Sequence, residues 1–321
     1  MKAIALFSGG LDSCLAIKII QNMGIEVEAL HLNTGFDSNF SKFDYLQKTA
    51  DEMGVKFTLI DEREHFLDEI LFSPKYGYGK NMNPCIDCHA NMINVAYNYM
   101  KEVDAQFIIS GEVLGQRPMS QKLDGLKKIE KLSISSEIVV RPLSAKLLPP
   151  SLPELNGWID REKMYDISGR ERKIQIQLAQ QFGLKNYESP AGGCLLTDRN
   201  FSTKLKKFIK NRNLEVNDID ILKVGRHLEV NKKMVIISRN KDENPILKNY
   251  NGDKFVKMYP IGIPGPIGLI EKNSDTNTKK LASQILLTYT KANNGVIGIN
   301  GENFEVNRLN SKEEIKKYMI F

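Results

Sequence analysis

The sequence has few cysteines and histidines, four of each among 321 residues, and a single tryptophan. Four cysteines are too few for the disulfide framework of a secreted protein this long, and in a reducing compartment such a set is more typical of catalysis or metal binding. No apolar run reaches the length of a membrane-spanning helix, and no signal peptide precedes the first apolar segment. These absences predict a cytoplasmic protein that does not bind a membrane.

Repeats and low-complexity tracts are also missing, and the 26% charged and 41% hydrophobic residues are typical of a globular protein. The length exceeds that of one ordinary core and indicates two domains. We predict them at residues 1–200 and 201–321, on either side of a change in composition. The formal net charge of +6 is compatible with a polyanionic partner.

Up to about residue 182 the pattern alternates apolar strands with helices, which predicts an α/β fold with a doubly wound parallel sheet. Strands are predicted at 3–7, 27–33, 56–61, 107–112 and near 138–141. Helices are predicted at 13–23, 40–53, about 90–103 and 169–182, and a loop at 188–194. Because ligands bind beyond the carboxyl ends of such strands, the first, second and fourth strands should line one crevice.

The character of the chain changes from about residue 201, where a smaller α+β module is predicted. It contains a basic helix at 203–213, strands near 234–238 and 254–258, a loop rich in glycine and proline, and a helix at 279–292. The basic helix is either a solvated face or a nucleic-acid contact, and the sequence leaves both interpretations open.

A small polar loop, Ser8-Gly9-Gly10-Leu11-Asp12-Ser13, follows the first strand and opens the first helix. Backbone N–H groups at a helix N-terminus attract anions, and glycines let a phosphate approach the backbone closely. No Gly-Lys-Ser/Thr follows, so the segment is not a Walker loop. No other glycine-rich loop follows a strand, which argues against a methyl-donor site. The segment therefore predicts a phosphate-binding loop, with Asp12 or Glu112 as the ligand of Mg²⁺.

Three cysteines have the positions that thiol or metal chemistry needs. Cys85 and Cys88 lie in a predicted loop that leads into a helix, and Cys194 follows two glycines. A helix N-terminus lowers a thiol pKa, which suits redox chemistry, and thiolates are also soft metal ligands. Three thiols fit an iron–sulfur cluster with one iron left open. A zinc site completed by His89, or a persulfide and resolving pair that includes Cys194, remain alternatives.

The fourth cysteine, Cys14, falls on the apolar face of the first helix. It is predicted to be a small core residue rather than a reactive one.

These motifs together resemble the PP-loop ATP pyrophosphatases, and among them the tRNA thiouridine synthases. The likeness covers roughly residues 1–195 and is carried by the SGGLDS loop, the stretch 111–121, the paired cysteines and the late cysteine. The Gly-Glu-Ser-Leu-Gly-Gln stretch of the 4-thiouridine synthase is similar to residues 111–116, while the 2-thiouridine synthases are less similar. The resemblance implies an adenine nucleotide α-hydrolase-like fold and an ATP-dependent tRNA sulfurtransferase. Such an enzyme adenylates a uridine carbonyl oxygen, releases pyrophosphate, and then transfers sulfur with release of AMP.

Carried onto this chain, the resemblance implies ATP, Mg²⁺ and a 4Fe-4S cluster, with Asp12 and Cys194 as catalytic residues. The implied ATP-binding residues are Ser8, Gly9, Gly10, Asp12 and Ser13 at the phosphates, His31 and Leu32 at the adenine, and Gly111 and Gln121 beside the nucleotide. The implied cluster ligands are Cys85, Cys88 and Cys194. An extra residue within 117–120 departs from the family pattern just before Gln121. The implied partners are tRNA and a sulfur donor, either sulfide or a persulfide-carrying protein.

The C-terminal stretches 220–226, 262–267 and 289–292 resemble the NFACT-R domain, which is associated with RNA. Lysine-rich helices and a rigid Gly/Pro loop suit contacts to backbone phosphates. Thiouridine synthases often carry an N-terminal RNA-binding module, for which this chain has no room, and we expect the C-terminal domain to replace it. Two other function classes stay open: a PP-loop amidotransferase or ligase acting on a small molecule, and a non-catalytic RNA-binding protein. The modified uridine, the 2-thio or 4-thio product and the oligomeric state are not specified by the sequence.

Overall fold

The computed structural model of the protein describes residues 1–188 and 193–320. Residues 189–192 of the predicted loop therefore lie outside the described part of the chain. The chain divides into two compact units, Met1–Thr197 and Asp198–Phe321.

Five parallel strands form the sheet of the first unit, in the order β3-β2-β1-β4-β5. They are β1 (Lys2–Leu6), β2 (Glu26–Asn33), β3 (Lys56–Asp61), β4 (Phe107–Ser110) and β5 (Val139–Val140). The central strand β1 carries Ala3 and Ile4, both fully buried, as a parallel sheet covered on both faces requires. The predicted α/β class with a parallel sheet is confirmed.

Helices connect these strands and bury their apolar sides against the sheet. They are α1 (Leu11–Gln21), α2 (Lys42–Met53), α3 (Arg63–His65), α4 (Cys85–Glu102), α5 (Leu123–Leu132), α6 (Leu152–Leu155) and α7 (Lys173–Gln181). Helix α4 begins earlier than predicted, so Cys85 and Cys88 lie in its first turn rather than in a loop. Pro84 immediately precedes it, where the missing N–H of proline removes no helical hydrogen bond.

The central position of β1 brings the ends of three strands together. Leu6 is paired with Leu30 of β2 on one side and with Ser110 of β4 on the other. The carboxyl ends of β1, β2 and β4 therefore meet at one edge of the sheet, where the chain order reverses. Open α/β sheets bind their ligands at such a point.

One carboxylate, that of Glu28, is buried near the amino end of β2 and is only 1% exposed. It accepts hydrogen bonds from Thr58 at 2.7 Å and from Tyr99, and Lys2 lies 2.7 Å away. Burial raises the pKa of Glu28, but the hydrogen bonds from Lys2 and its other partners outweigh burial and lower the pKa to about 2. The ionised carboxylate therefore contributes to the stability of the sheet.

Replacing Glu28 with glutamine is expected to lower the free energy of unfolding at pH 7 by roughly 2–3 kcal/mol. Because the pKa is depressed in the folded state, this contribution is present above the unfolded pKa near 4.5. It is lost as the pH falls towards about 2. Urea unfolding across this pH range measures the effect, and the exposed Glu26→Gln on the same strand is the control. Equal stability of the two variants at pH 7 would contradict the assignment.

The second unit contains a six-stranded antiparallel sheet in the order β11-β10-β8-β9-β7-β6. Its strands are β6 (Arg226–Val230), β7 (Lys233–Ile237), β8 (Phe255–Ile261), β9 (Gly268–Glu271), β10 (Asn294–Ile299) and β11 (Glu302–Asn307). Its helices are α8 (Arg199–Ile209), α9 (Val216–Lys223), α10 (Glu243–Lys248) and α11 (Thr276–Thr288). Helix α11 packs Ile285, Leu286 and Leu287 against one face of the sheet. The predicted α+β class of this unit is confirmed.

The second unit carries a net positive charge, whereas the net charge of the first is slightly negative. Residues 198–321 hold 23 Lys and Arg against 14 Asp and Glu, whereas residues 1–197 hold 22 against 25. A nucleic acid would therefore be attracted by the second unit and weakly repelled by the net charge of the first. Among residues 1–188 and 193–320, none of the helices combines the length and apolar character that crossing a membrane requires.

Candidate active site

The predicted phosphate loop lies between β1 and α1 at the carboxyl edge of the sheet. Gly9 has a φ of +72°, a conformation that residues with a side chain rarely adopt. A Cβ at this position would lie 2.6 Å from Cδ2 of Leu46 and 2.8 Å from Cε1 of Tyr45. Glycine is required here by both backbone conformation and the close approach of α2.

Helix α2 fixes the orientation of the loop peptides. The buried ammonium of Lys42 donates to the carbonyl oxygen of Ser8 at 2.7 Å, and the Tyr45 hydroxyl donates to that of Gly9 at 3.0 Å. In a trans peptide the N–H points away from the C=O, so the amides of Gly9 and Gly10 point away from α2. No side chain of residues 1–188 or 193–320 caps the N-terminus of α1, which leaves its amides available to an anion.

Asp12 stands in the first turn of α1 with its side chain 13% exposed. Its Oδ2 accepts from Nε2 of Gln116 at 2.6 Å and lies 3.3 Å from the Arg172 guanidinium. Its Oδ1 is buried and has no hydrogen-bond partner among the described residues. A buried carboxylate oxygen without a partner is costly, and a bound cation would compensate it. Asp12 therefore fits the role of a Mg²⁺ ligand.

Glu112 was the competing Mg²⁺ candidate, and the structure gives its carboxylate a different role. Nδ1 of His89 donates to Oε1 at 2.8 Å, and Nε of Arg141 donates to Oε2 at 2.9 Å. Burial raises the pKa of Glu112, but the charge of Arg141 and the hydrogen bond from His89 lower it to about 2. Both oxygens are occupied by protein donors, so Glu112 positions His89 rather than binding a metal.

Gly111, at the end of β4, touches the start of α1. A Cβ on Gly111 would lie 2.6 Å from the Ser13 nitrogen and 2.7 Å from the Asp12 carbonyl carbon. These are backbone atoms that cannot move away without displacing the phosphate loop. Glycine at 111 thus sets the distance between β4 and the helix that carries Asp12.

The Gly111→Ala variant is expected to be destabilised by about 1–3 kcal/mol, the usual cost of forcing a methyl group into a packed site. Urea unfolding followed by circular dichroism measures the change. The control is Gly10→Ala, because a Cβ there meets only the Ser8 hydroxyl at 3.4 Å. If Gly10→Ala were less stable than Gly111→Ala, the close approach at Gly111 would not be what limits stability.

The two residues implied at the adenine, His31 and Leu32, lie near the end of β2 and project to opposite faces of the sheet, as successive strand residues do. Nδ1 of His31 donates to the Phe7 carbonyl at 2.8 Å, and Nε2 lies 3.5 Å from Oδ2 of Asp37. Leu32 is 5% exposed. Only one of these side chains can therefore face any one pocket.

Gln121 lies in the segment that joins β4 to α5. Its carbonyl oxygen accepts from the Gly115 amide at 2.6 Å, and its side-chain Oε1 is buried without a partner among the described residues. Gln116, not Gln121, reaches Asp12, and Nε2 of Gln175 in α7 donates to Oε1 of Gln116 at 3.2 Å. The segment therefore connects the phosphate loop to α7.

The three cysteines converge on the same edge of the sheet. Cys194 is joined to Asp37 by a single antiparallel bridge, and the Leu195 amide donates to the Phe36 carbonyl at 2.9 Å. His89 follows Cys88 and donates a hydrogen bond to Glu112, the residue after Gly111 at the end of β4. The thiols of Cys85 and Cys88 each interact electrostatically with Cys194. The paired cysteines and the late cysteine are thus brought together by the fold.

All three thiols have pKa values above that of a free cysteine, contrary to the lowering predicted at a helix N-terminus. Burial is the largest cause at Cys85, where a hydrogen bond from Asn83 and the charge of Arg117 oppose it. Burial, followed by the charges of Cys194 and Cys85, raises the pKa of Cys88 well above its usual range. Cys194 is exposed, yet protein atoms desolvate its thiol and raise the pKa to about 12. Without a bound cation these thiols stay protonated.

The described residues do not form a site for a single metal ion. No group of three His, Cys, Asp or Glu within residues 1–188 and 193–320 has the arrangement that such an ion needs. His89 donates from Nδ1 to Glu112, which leaves Nε2 as the ring nitrogen that the zinc alternative would use. Cys14 is fully buried, which confirms the prediction of a core residue, and burial raises its pKa to about 12.

Sequence reasoning missed three residues of the phosphate site. Lys42 gave no signal, because a lone lysine at the start of a helix is usually a surface residue. Arg172 falls at the start of the predicted helix 169–182, and Gln116 falls inside the stretch 111–121, and neither pattern indicates a role at the loop. These residues are distant from Asp12 along the chain, and only the tertiary structure brings them to the loop.

Comparison with known proteins supports both predicted resemblances. Residues 1–146 match the family of the thiamine biosynthesis protein ThiI, and residues 225–319 match the NFACT protein RNA binding domain. The tRNA-specific 2-thiouridylase MnmA of Mannheimia succiniciproducens is 24% identical over 239 residues, which cover 70% of this chain and 58% of that protein. The chain therefore spans less than two thirds of the length of this curated relative.

Solved structures resemble the chain more distantly. A crystal structure of a 4-thiouridine synthetase–RNA complex with bound ATP is 20% identical, with a TM-score of 0.37 over 57% of this chain and 50% of that one. The U34-tRNA thiolase NcsA from Methanococcus maripaludis with its 4Fe-4S cluster is 15% identical, with a TM-score of 0.34 over 60% of each chain. The sequence matches confirm that residues 1–146 resemble the PP-loop tRNA thiouridine synthases. They also confirm that residues 225–319 resemble the NFACT-R domain.

Proposed function

We propose that this chain is an ATP-dependent tRNA sulfurtransferase that adenylates a uridine carbonyl oxygen and then replaces that oxygen with sulfur. The observation that carries the proposal is the meeting of an anion-binding loop and three thiols at one edge of a parallel sheet. A nucleotide-activating enzyme without sulfur chemistry needs the loop alone. The matches to the ThiI family and to a tRNA 2-thiouridylase support the same assignment.

In the first half-reaction, the uridine oxygen attacks the α-phosphate of ATP in line, and pyrophosphate leaves. The amides of Gly9, Gly10 and the first turn of α1 bind the phosphates. Lys42, which also pairs with Glu188, and Arg172, which also pairs with Asp12, lie beside the loop. Asp12 would hold Mg²⁺ through its buried Oδ1. A Mg²⁺ ion held there would neutralise the charge that develops on the leaving pyrophosphate.

In the second half-reaction, a sulfur nucleophile attacks the activated carbon, and AMP leaves with the former uridine oxygen. Cys194 is the most exposed residue of the three, so a base approaches its backbone first and reaches the thiol beneath it. The base must be unpaired or flipped out of a helix to reach the edge of the sheet. The sulfur donor is sulfide or a persulfide-carrying protein, and a tRNA substrate indicates the cytoplasm.

The three thiols fit the donor set of a 4Fe-4S cluster held by Cys85, Cys88 and Cys194. They are soft ligands, they are close enough to interact electrostatically, and their raised pKa values are what a bound cation would reverse. A cluster with three cysteine ligands supplies one iron that is open to an exogenous sulfur species.

The test combines the purified chain with ATP, sulfide and an unmodified tRNA transcript under anaerobic conditions. We expect pyrophosphate and AMP in equal amounts and a thiolated uridine in the nuclease digest, detected by mass spectrometry. Pyrophosphate release that does not require tRNA would favour a ligase or amidotransferase acting on a small molecule. Binding of tRNA with no release of pyrophosphate would favour a non-catalytic RNA-binding protein.

A further inference from the structure

The open face of β8 in the second unit has no role in the proposed chemistry. Side chains alternate along a strand, so Lys257, Tyr259 and Ile261 project from the same face. All three are exposed, Tyr259 to 44% and Ile261 to 41%. Met258, on the opposite face, is fully buried in the core beneath α11.

Glycine on the neighbouring strand determines how Tyr259 lies. Gly298 of β10 is paired with Tyr259, and Val296 is paired with Ile261. A Cβ on Gly298 would lie 3.1 Å from Cε2 and Cζ of Tyr259 and 3.2 Å from Cδ1 of Ile261. The Tyr259 ring therefore rests against strand backbone, where a side chain would otherwise stand. One side of the ring is supported by the sheet, and the other is left to solvent.

The remainder of this sheet face is covered, which separates the open part from an ordinary core. Phe255, at the start of β8, stacks on Phe208 of α8 with ring centroids 6.0 Å apart. Leu269 of β9, paired with Lys257, is fully buried. The exposed part of the face is thus limited to the end of β8 and to its neighbours β10 and β11.

We propose that this open face, formed by Lys257, Tyr259 and Ile261, binds unpaired RNA with one base stacked on the Tyr259 ring. The inference rests on the proposed function in that the partner is RNA. Base–aromatic stacking does not depend on sequence, because every base has a π-face. Ile261 extends the apolar surface beyond the ring, and Lys257 lies where a backbone phosphate would need a cation.

Charge favours RNA over a protein partner at this face. The unit that carries the face holds 23 basic against 14 acidic residues. Glu305 of β11 projects from the same face because it is paired with Val296. The phosphate backbone should therefore follow the Lys257 side and avoid β11, which gives the bound strand one direction of approach.

The first test measures the affinity of the full chain for a fluorescent oligouridylate, with a blunt-ended RNA duplex as a second probe. We expect Tyr259→Ala and Tyr259→Leu to weaken oligouridylate binding by roughly 5- to 100-fold. Tyr259→Phe should bind like the wild type, because it keeps the ring, and duplex binding should change little in all three variants. Lys257→Gln should lower the slope of log affinity against log salt by about 1. Unchanged oligouridylate binding by Tyr259→Ala would overturn the inference.

A second measurement covers the case in which substitution of Tyr259 disturbs folding. RNA carrying 5-iodouridine is irradiated on the wild-type chain, and the crosslinked peptide is identified by mass spectrometry. A crosslink within β8 supports the proposal, and crosslinks confined to other segments overturn it.

The tRNA thiolation assay separates the two proposals. If the chain thiolates tRNA but Tyr259→Ala does not change RNA binding, the proposed function holds and the RNA-binding role of this face is wrong. If RNA binding depends on Tyr259 but no tRNA is thiolated, the role of this face holds and the proposed function is wrong.

Discussion

Replacing Asp12 with asparagine should lower the rate of tRNA-dependent pyrophosphate release by about 10²–10³-fold, the usual cost of removing one preorganised group that stabilises transition-state charge. Gln116 and Arg172 hold one carboxylate oxygen, while the other is buried without a partner in the described part of the chain. Asparagine has the same shape and removes the negative charge that a Mg²⁺–phosphate group requires. The rate is measured by coupled pyrophosphate detection at saturating ATP.

The matched control for this prediction is Asp124→Asn. Asp124 also lies in the first turn of a helix, but its side chain is 78% exposed and pairs with Lys128 across one turn. Its replacement should leave pyrophosphate release unchanged. Comparable rates for Asp12→Asn and Asp124→Asn would remove Asp12 from the catalytic role, provided that both variants unfold at wild-type urea concentrations.

Substituting Cys85, Cys88 or Cys194 with alanine should reduce thiolated uridine by roughly 10³-fold or more, as removal of an essential nucleophile or ligand does. Pyrophosphate release should persist in each variant, because the phosphate loop is built from other residues. The two half-reactions would thereby be separated in one experiment that quantifies pyrophosphate and thiouridine in parallel. Loss of both products would instead indicate that the thiols support the fold of the crevice.

The control is Cys14→Ala, which removes a thiol buried in α1 and 0% exposed. It should cost about 1 kcal/mol of stability through the small cavity that it leaves and should not change thiolation. A loss of thiolation equal to that of Cys194→Ala would show that thiol number, rather than the three converging positions, explains the effect.

Metal analysis of the same variants decides between the two forms of sulfur chemistry. Anaerobically purified wild-type chain should contain about four irons with matching acid-labile sulfide, and the triple alanine variant none. Protein that binds ATP but contains no iron after reconstitution would rule out the cluster. Sulfur would then come from a persulfide on Cys194: its outer sulfur attacks the activated carbon, and Cys85 or Cys88 breaks the S–S bond, which leaves a disulfide with Cys194 that an added thiol must reduce.

The strand, loop and helix start of the candidate phosphate site could be predicted from the sequence because the pattern is local. A strand, two glycines and a helix start occur within a few residues, and each has one dominant structural interpretation. Lys42, Gln116 and Arg172 could not be assigned in this way. Their roles depend on packing between segments that are far apart along the chain, such as α7 and the first turn of α1.

The second sheet shows the same limit in a different form. Strand β10 contains Gly295 and Gly298, and β11 contains Glu302 and Glu305, residues that strands usually avoid. Pairing of β10 with β8, and of β11 with β10, overrides these local preferences, so the sequence pattern did not predict either strand. In α4 a helix replaces part of a predicted loop. Cys85 and Cys88 were predicted to lie in the loop, but Pro84 allows the helix to begin at Cys85.

The unequal distribution of charge between the two units has a consequence for how the reaction responds to ionic strength. Capture of a polyanion depends on the basic residues of the second unit, so the apparent affinity for tRNA should fall steeply as salt is raised. In the proposed mechanism the phosphoanhydride bond breaks in the first unit, among partly buried charges that salt screens much less. Raising salt should therefore increase the tRNA concentration needed for half-maximal rate while the rate at saturating tRNA changes little.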